Sequence, residues 1–75
     1  MIEGLDNRLK LFLEDKTYTY FKDIFNYNFN GFIIKIEENK FLFNDDKLGE
    51  IWINKSDIKT ISFSTRNKEE KNDLH

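Results

Sequence analysis

Between Thr17 and Phe63, five short stretches rich in β-branched and aromatic residues follow one another, each closed by a polar turn. Nothing else in the chain constrains its fold as strongly, because such stretches bounded by turn residues read as strands of one sheet. Thr17-Tyr18-Thr19-Tyr20-Phe21 is the first, ended by Lys22-Asp23. Over 26–30 the chain alternates Asn-Tyr-Asn-Phe-Asn, which predicts Tyr27 and Phe29 on one face and Asn26, Asn28 and Asn30 on the other. Gly31 interrupts this strand before Phe32-Ile33-Ile34-Lys35-Ile36 continues it, and a glycine there marks a bulge or sharp bend. Glu37-Glu38-Asn39 turns the chain into Lys40-Phe41-Leu42-Phe43, and Asn44 to Gly49 turns it again. Glu50 to Asn54 alternates with Ile51 and Ile53 inward and Trp52 outward. Lys55-Ser56-Asp57 is a short turn or one turn of 3₁₀ helix, and Ile58 to Phe63 is the last strand, with Ile61 and Phe63 on one face.

Ahead of these strands, residues 5–15 place Leu5, Leu9, Phe12 and Leu13 at helical spacing, with Asp6 or Asn7 available as a cap. The same stretch also alternates at Leu9, Leu11 and Leu13, as a strand would. Its Leu, Lys, Arg and Glu are good helix formers, which favours a short helix. The expected fold is therefore mainly β: a short N-terminal helix, then a five-stranded, strongly bent antiparallel sheet closing as a small barrel. One domain spans 1–65. Residues 66–75 are charged and nearly free of apolar side chains, and are expected to be a disordered, solubilising tail.

A 75-residue chain is marginal without staples. Cysteine is absent and the one histidine, His75, is the last residue, so disulfides, thiolate metal sites and a His-based zinc site within one chain are excluded. Eight Phe, three Tyr and one Trp can instead fill a dense core, and self-association can bury open strand edges. No apolar run is long enough to cross a membrane and no signal peptide is evident, so the expected location is the cytoplasm. A net charge of −2 with a pI near 5.3 disfavours broad electrostatic binding to nucleic acid, though not a local basic site.

Catalysis is not expected, nor any cofactor. No internal histidine can activate Ser56, Ser62 or Ser64, and the three glycines lie too far apart for a phosphate loop. The adjacent pairs Glu37-Glu38 and Asp45-Asp46 read as solvated turn residues, which could at most hold Mg²⁺ weakly. Trp52 has three readings. It is a subunit contact, a base-stacking platform near Lys55 and Lys35, or a side chain packed against the helix. The amides of Asn26, Asn28 and Asn30 could read base edges but fit a solvated strand face better.

Two blocks carry a resemblance. Phe21-Lys22-Asp23, Gly31-Phe32-Ile33 and Glu37 form the first. Gly49-Glu50-Ile51-Trp52-Ile53 followed by Asn54 to Ile61 forms the second. They resemble the two motifs of the Sm-like family, which includes Sm, Lsm and bacterial Hfq proteins. The best local match is Lys55 to Ile61 with Hfq, although Ser56 stands where Hfq has histidine and Asn54-Lys55 replaces the Arg-Gly of Sm and Lsm chains. The connection from Asp23 to Gly31 is also longer than in the family. A small barrel of the Src-homology type would give the same glycine, strand and turn pattern. The resemblance implies a homo-oligomeric ring of six or seven subunits that binds single-stranded RNA without chemistry. Lys55 would be the cation of each site, with Glu37, Asn39 and Ser56 beside the base. Ile51, Trp52, Ile53, Ile61 and Phe63, on the last two strands, would form the subunit interface. The other reading is a small-barrel module that contacts another protein and binds no RNA.

Overall fold

The computed structural model describes residues 3–64. Helix α1 (Leu5–Glu14) is followed by strands β1 (Thr19–Asp23), β2 (Asn28–Ile36), β3 (Lys40–Asp45) and β4 (Gly49–Asn54). A single 3₁₀ turn (Lys55–Asp57) then leads into β5 (Ile58–Phe63). The strands form one antiparallel sheet in the order β4-β3-β2-β1-β5. β4 and β5 are its two edges, and no ladder joins them among the described residues. The expected tail, 66–75, lies outside the described residues.

The competition at residues 5–15 is settled by burial. Leu5 and Leu9 are buried and Phe12 and Leu13 pack against the core, while Leu11, which a strand would turn inward with Leu9 and Leu13, is largely exposed. Neither Asp6 nor Asn7 is the cap. Gly4 occupies that position in a left-handed conformation, and Asp6 sits in the first turn, where a carboxylate meets the positive end of the helix dipole. At the other end Lys16 adopts a left-handed conformation, and the Lys16 and Thr17 N–H groups donate to the Leu13 and Phe12 carbonyls, as in a Schellman motif. That closing turn consumes Thr17, so β1 begins at Thr19. It runs on through Lys22 and Asp23, two residues expected to end it.

Two irregularities shape the sheet. Ile33 pairs with Phe43 and Lys35 with Leu42, so Ile34 is an extra residue on β2. Lys22 pairs with Thr60 and Asp23 with Ile58, so Lys59 is an extra residue on β5. A bulge bends and twists its strand. The bulge in β2 therefore lies three residues beyond Gly31, the position expected to carry it. Gly31 serves another purpose. A Cβ there would lie 1.9 Å from the Asn44 carbonyl oxygen, so β3's backbone can lie this close only to a residue without a side chain. The bulge at Lys59 also explains why both Ile58 and Ile61 are buried despite their odd spacing. Phe63 shares the face of Ile61, but it lies beyond the core's cover and is 65% exposed.

The core lies between α1 and the sheet. Leu5, Leu9, Phe21, Ile33, Phe41, Phe43, Ile58 and Ile61 form it. Phe21 is its hub, stacked on Phe29 at 4.6 Å and meeting Phe43 edge-on at 4.8 Å and Phe41 at 5.8 Å. Each such ring pair contributes about 0.5–1.5 kcal/mol beyond the burial of its area. The aromatic core expected of an unstapled chain is thus carried by the central strands.

Candidate functional site

The β2–β3 turn, the end of β4 and the start of α1 meet around the 3₁₀ turn. The Lys55 N–H donates to the Asn39 carbonyl at 2.9 Å, which fixes one turn against the other. The result is an open pocket of about 230 Å³ lined by Asp6, Glu38, Asn39, Asn54, Lys55 and Ser56. Three of the four residues expected to contact RNA, Asn39, Lys55 and Ser56, converge here. Glu37 is not among the lining residues. Its N–H donates to the Lys40 carbonyl and its carboxylate lies 3.6 Å from Lys35 Nζ on the exposed surface. Glu38 takes the position at the mouth instead.

Lys55 is not a free surface cation. Its Nζ lies 2.9 Å from Asp6 Oδ1, and its side chain is only 7% exposed against 67% for Asp6. A buried ammonium needs a partner, and the first turn of α1 supplies one. Lining the pocket are one cation and two carboxylates, Asp6 and Glu38. Such a mouth attracts phosphate weakly and is better suited to a neutral, hydrogen-bonding group, which the Asn39 and Asn54 amides and the Ser56 hydroxyl can meet. The sequence alone offers Asp6 only as a helix cap. The fold reveals its pairing, because 49 positions separate it from Lys55 in the chain.

The second candidate surface is the pair of sheet edges. In an antiparallel ladder, hydrogen-bonded pairs alternate with pairs whose N–H and C=O groups face the other way. The Ser64 N–H donates to Tyr18, which makes Tyr20–Ser62 the next bonded pair and turns the N–H and C=O groups of Ile61 and Phe63 out to the free edge of β5. The Lys55–Asn39 bond sets the same alternation for β4. Ile51 and Ile53 bond to β3, and Glu50, Trp52 and Asn54 face outward. Of the residues expected at a subunit interface, Ile51 and Ile53 pack half-buried on the core and Ile61 is buried within it. Trp52 and Phe63 are the two large side chains left standing at the edges, with Trp52 47% exposed. The lysine beside Trp52 is Lys40, its Nζ 4.7 Å from the ring centroid, a cation–π contact.

Several polar and aromatic residues stand elsewhere than the alternation predicts. Asn26 lies in the β1–β2 turn at φ 68, a conformation asparagine tolerates, and accepts a hydrogen bond from Lys59 Nζ. Asn30 is buried and accepts one from the Ser64 hydroxyl, while Asn28 is exposed and accepts one from the Tyr20 hydroxyl. They form no row of readers. Tyr27 belongs to the turn rather than the inward face, its N–H bound with that of Phe25 to the Asp23 carboxylate. Asp45 is not a solvated turn residue: it is buried, and its carboxylate accepts the N–H groups of Asn30, Lys47 and Leu48. Several exposed apolar side chains escape the sequence pattern. Ile24, Phe25, Tyr27 and Leu48 are all more than half exposed, and Tyr27, Phe29 and Leu48 line an open groove of about 290 Å³.

No helix of the described residues is long and apolar enough to cross a membrane. No protein-family model matches the chain, and no curated protein matches it significantly.

Proposed function

We propose that this chain is a self-assembling binding module of the Sm-like kind, in which copies join head to tail, the β4 edge of one against the β5 edge of the next. In this reading the bent sheets, each a small barrel left open between β4 and β5, join edge to edge into a homo-oligomeric ring. Single-stranded RNA is held without chemistry at the mouth formed by Asn39, Lys55 and Ser56. The observation that carries the reading is the convergence of those three residues, from two separate turns, on one pocket. The open, outward-facing edges support the assembly half of it. Because Asp6 already neutralises Lys55, recognition would rest on hydrogen bonds to a base more than on phosphate attraction.

Titration with short oligo-U and oligo-A at low salt tests the binding half. Asn39→Ala removes one amide at the mouth, and the loss of about 1 kcal/mol weakens binding roughly fivefold. Lys68→Ala, in the charged C-terminal stretch, changes little. Wild-type protein that fails to bind either oligonucleotide moves the function to the second reading, a module that contacts another protein. That reading is favoured by the exposed Ile24, Phe25, Tyr27 and Leu48 and by the acidic mouth.

A further inference from the structure

The two edges are not equally open. The Ile61 carbonyl, which faces away from β1, accepts a hydrogen bond from Arg8 Nη1 at 3.0 Å. The guanidinium of an α1 residue thus lies where the N–H of an incoming strand would have to sit. Upstream, the bulge at Lys59 breaks the regular spacing. Charged side chains and bulges are the usual devices by which a sheet edge is closed. Phe63 is different. Among the described residues its carbonyl accepts the exposed Ser62 hydroxyl, at 3.2 Å, a small group from its own strand rather than a cation reaching over from the helix. On β4, no side chain bonds to the outward backbone groups of Glu50, Trp52 or Asn54 among the described residues.

We propose that Arg8 sets the register of the contact between copies, closing the Ile61 carbonyl and leaving the Phe63 end of β5 as the place where β4 of the next copy docks. The inference rests on the head-to-tail assembly above. Two registers match the outward groups of both strands. One sets Trp52 opposite Ile61 and needs the Ile61 carbonyl at the middle of the ladder. The other sets Trp52 opposite Phe63 and needs that carbonyl only at its end. Arg8 obstructs the first more than the second. Residues directly opposite in a ladder share a face, so the second register also brings the exposed rings of Trp52 and Phe63 together. Arg8 is a positioning residue here, acting through Ile61.

The absence of cysteine makes the test clean. Ser62→Cys protein is mixed under mild oxidation with either Ile53→Cys or Ile51→Cys protein. The proposed register sets position 62 opposite 53, and the other sets it opposite 51, each as a closely spaced pair within disulfide reach. The Ile53→Cys mixture should give about ten times more cross-linked dimer, the ratio that matches losing one charge-assisted hydrogen bond. Arg8→Ala should bring the two yields close to equal, and Arg8→Lys, which can still donate, should keep the preference. Thermal melting confirms that both Arg8 variants are folded. A preference for Ile51→Cys, or a ratio unmoved by Arg8→Ala, overturns the proposal. If neither mixture cross-links, light scattering on the wild type separates the causes. Assembled protein refutes the register alone, and a monomer refutes both the register and the assembly reading.

Discussion

The centre of the sheet and its margins are built on different terms. In β1, β2 and β3, bulk decides everything: Phe21, Phe41 and Phe43 are fully buried, and Gly31 lets β3 lie against β2. In β4 and β5 the side chains are divided. Ile51, Ile53 and Ile61 face the core, while Trp52 and Phe63 are exposed beside edge backbone groups that no strand pairs among the described residues. A small domain without disulfides can finish its centre with aromatics alone. Its edges need another solution, and a second copy of the same edge pair is one that requires no additional chain.

On this division, substitutions at the centre should change stability and substitutions at the margin should change association. The largest effects fall on the hub. Phe21→Ala removes the ring that touches three others and should destabilise by about 3–5 kcal/mol. Gly31→Val forces a Cβ into the Asn44 carbonyl and should cost at least about 3 kcal/mol; chemical denaturation measures both. A Gly31→Val protein that melts like the wild type would mean that β2 and β3 are not held at this separation. Next comes Asp45→Ala, which strips the acceptor from three backbone N–H groups and should cost about 1–3 kcal/mol in the same assay. Phe63→Ser should change the melting of the individual fold by less than about 0.5 kcal/mol, as for most exposed positions, yet weaken association. Smallest is Asp6→Asn. Its carboxylate is two-thirds exposed, so the Lys55 pair is screened, and the stability loss should stay below about 1 kcal/mol.

The strands and the helix are legible in the sequence because their patterns are local. Alternation locates β3 and β4 to within two residues, and the i, i+4 pair Leu5 and Leu9 identifies α1. Three kinds of feature are not legible. Bulges shift register without a residue signature, so Ile34 and Lys59 look like ordinary strand residues, and Gly31 draws the bend that belongs further along. Turn keystones such as Asp23 and Asp45 look like any acidic turn residue until their carboxylates are seen to gather backbone N–H groups. Long-range pairs, Asp6 with Lys55 and Arg8 with Ile61, join segments about fifty residues apart and leave no periodicity. At the mouth, Asn39, Lys55 and Ser56 follow from the resemblance, whereas Asp6, Glu38 and Asn54 do not. The missing residues include the two carboxylates that make the pocket acidic and so suit it less to phosphate than to a neutral, hydrogen-bonding group.

Native mass spectrometry over a dilution series tests the division between finished centre and open margin most directly. The expected result is a discrete species of six or seven times the 9.1 kDa chain mass, which Phe63→Ser converts to single chains that remain folded. A wild type that stays at 9.1 kDa up to tens of micromolar would contradict it, because the edges of β4 and β5 would then be tolerated as they are.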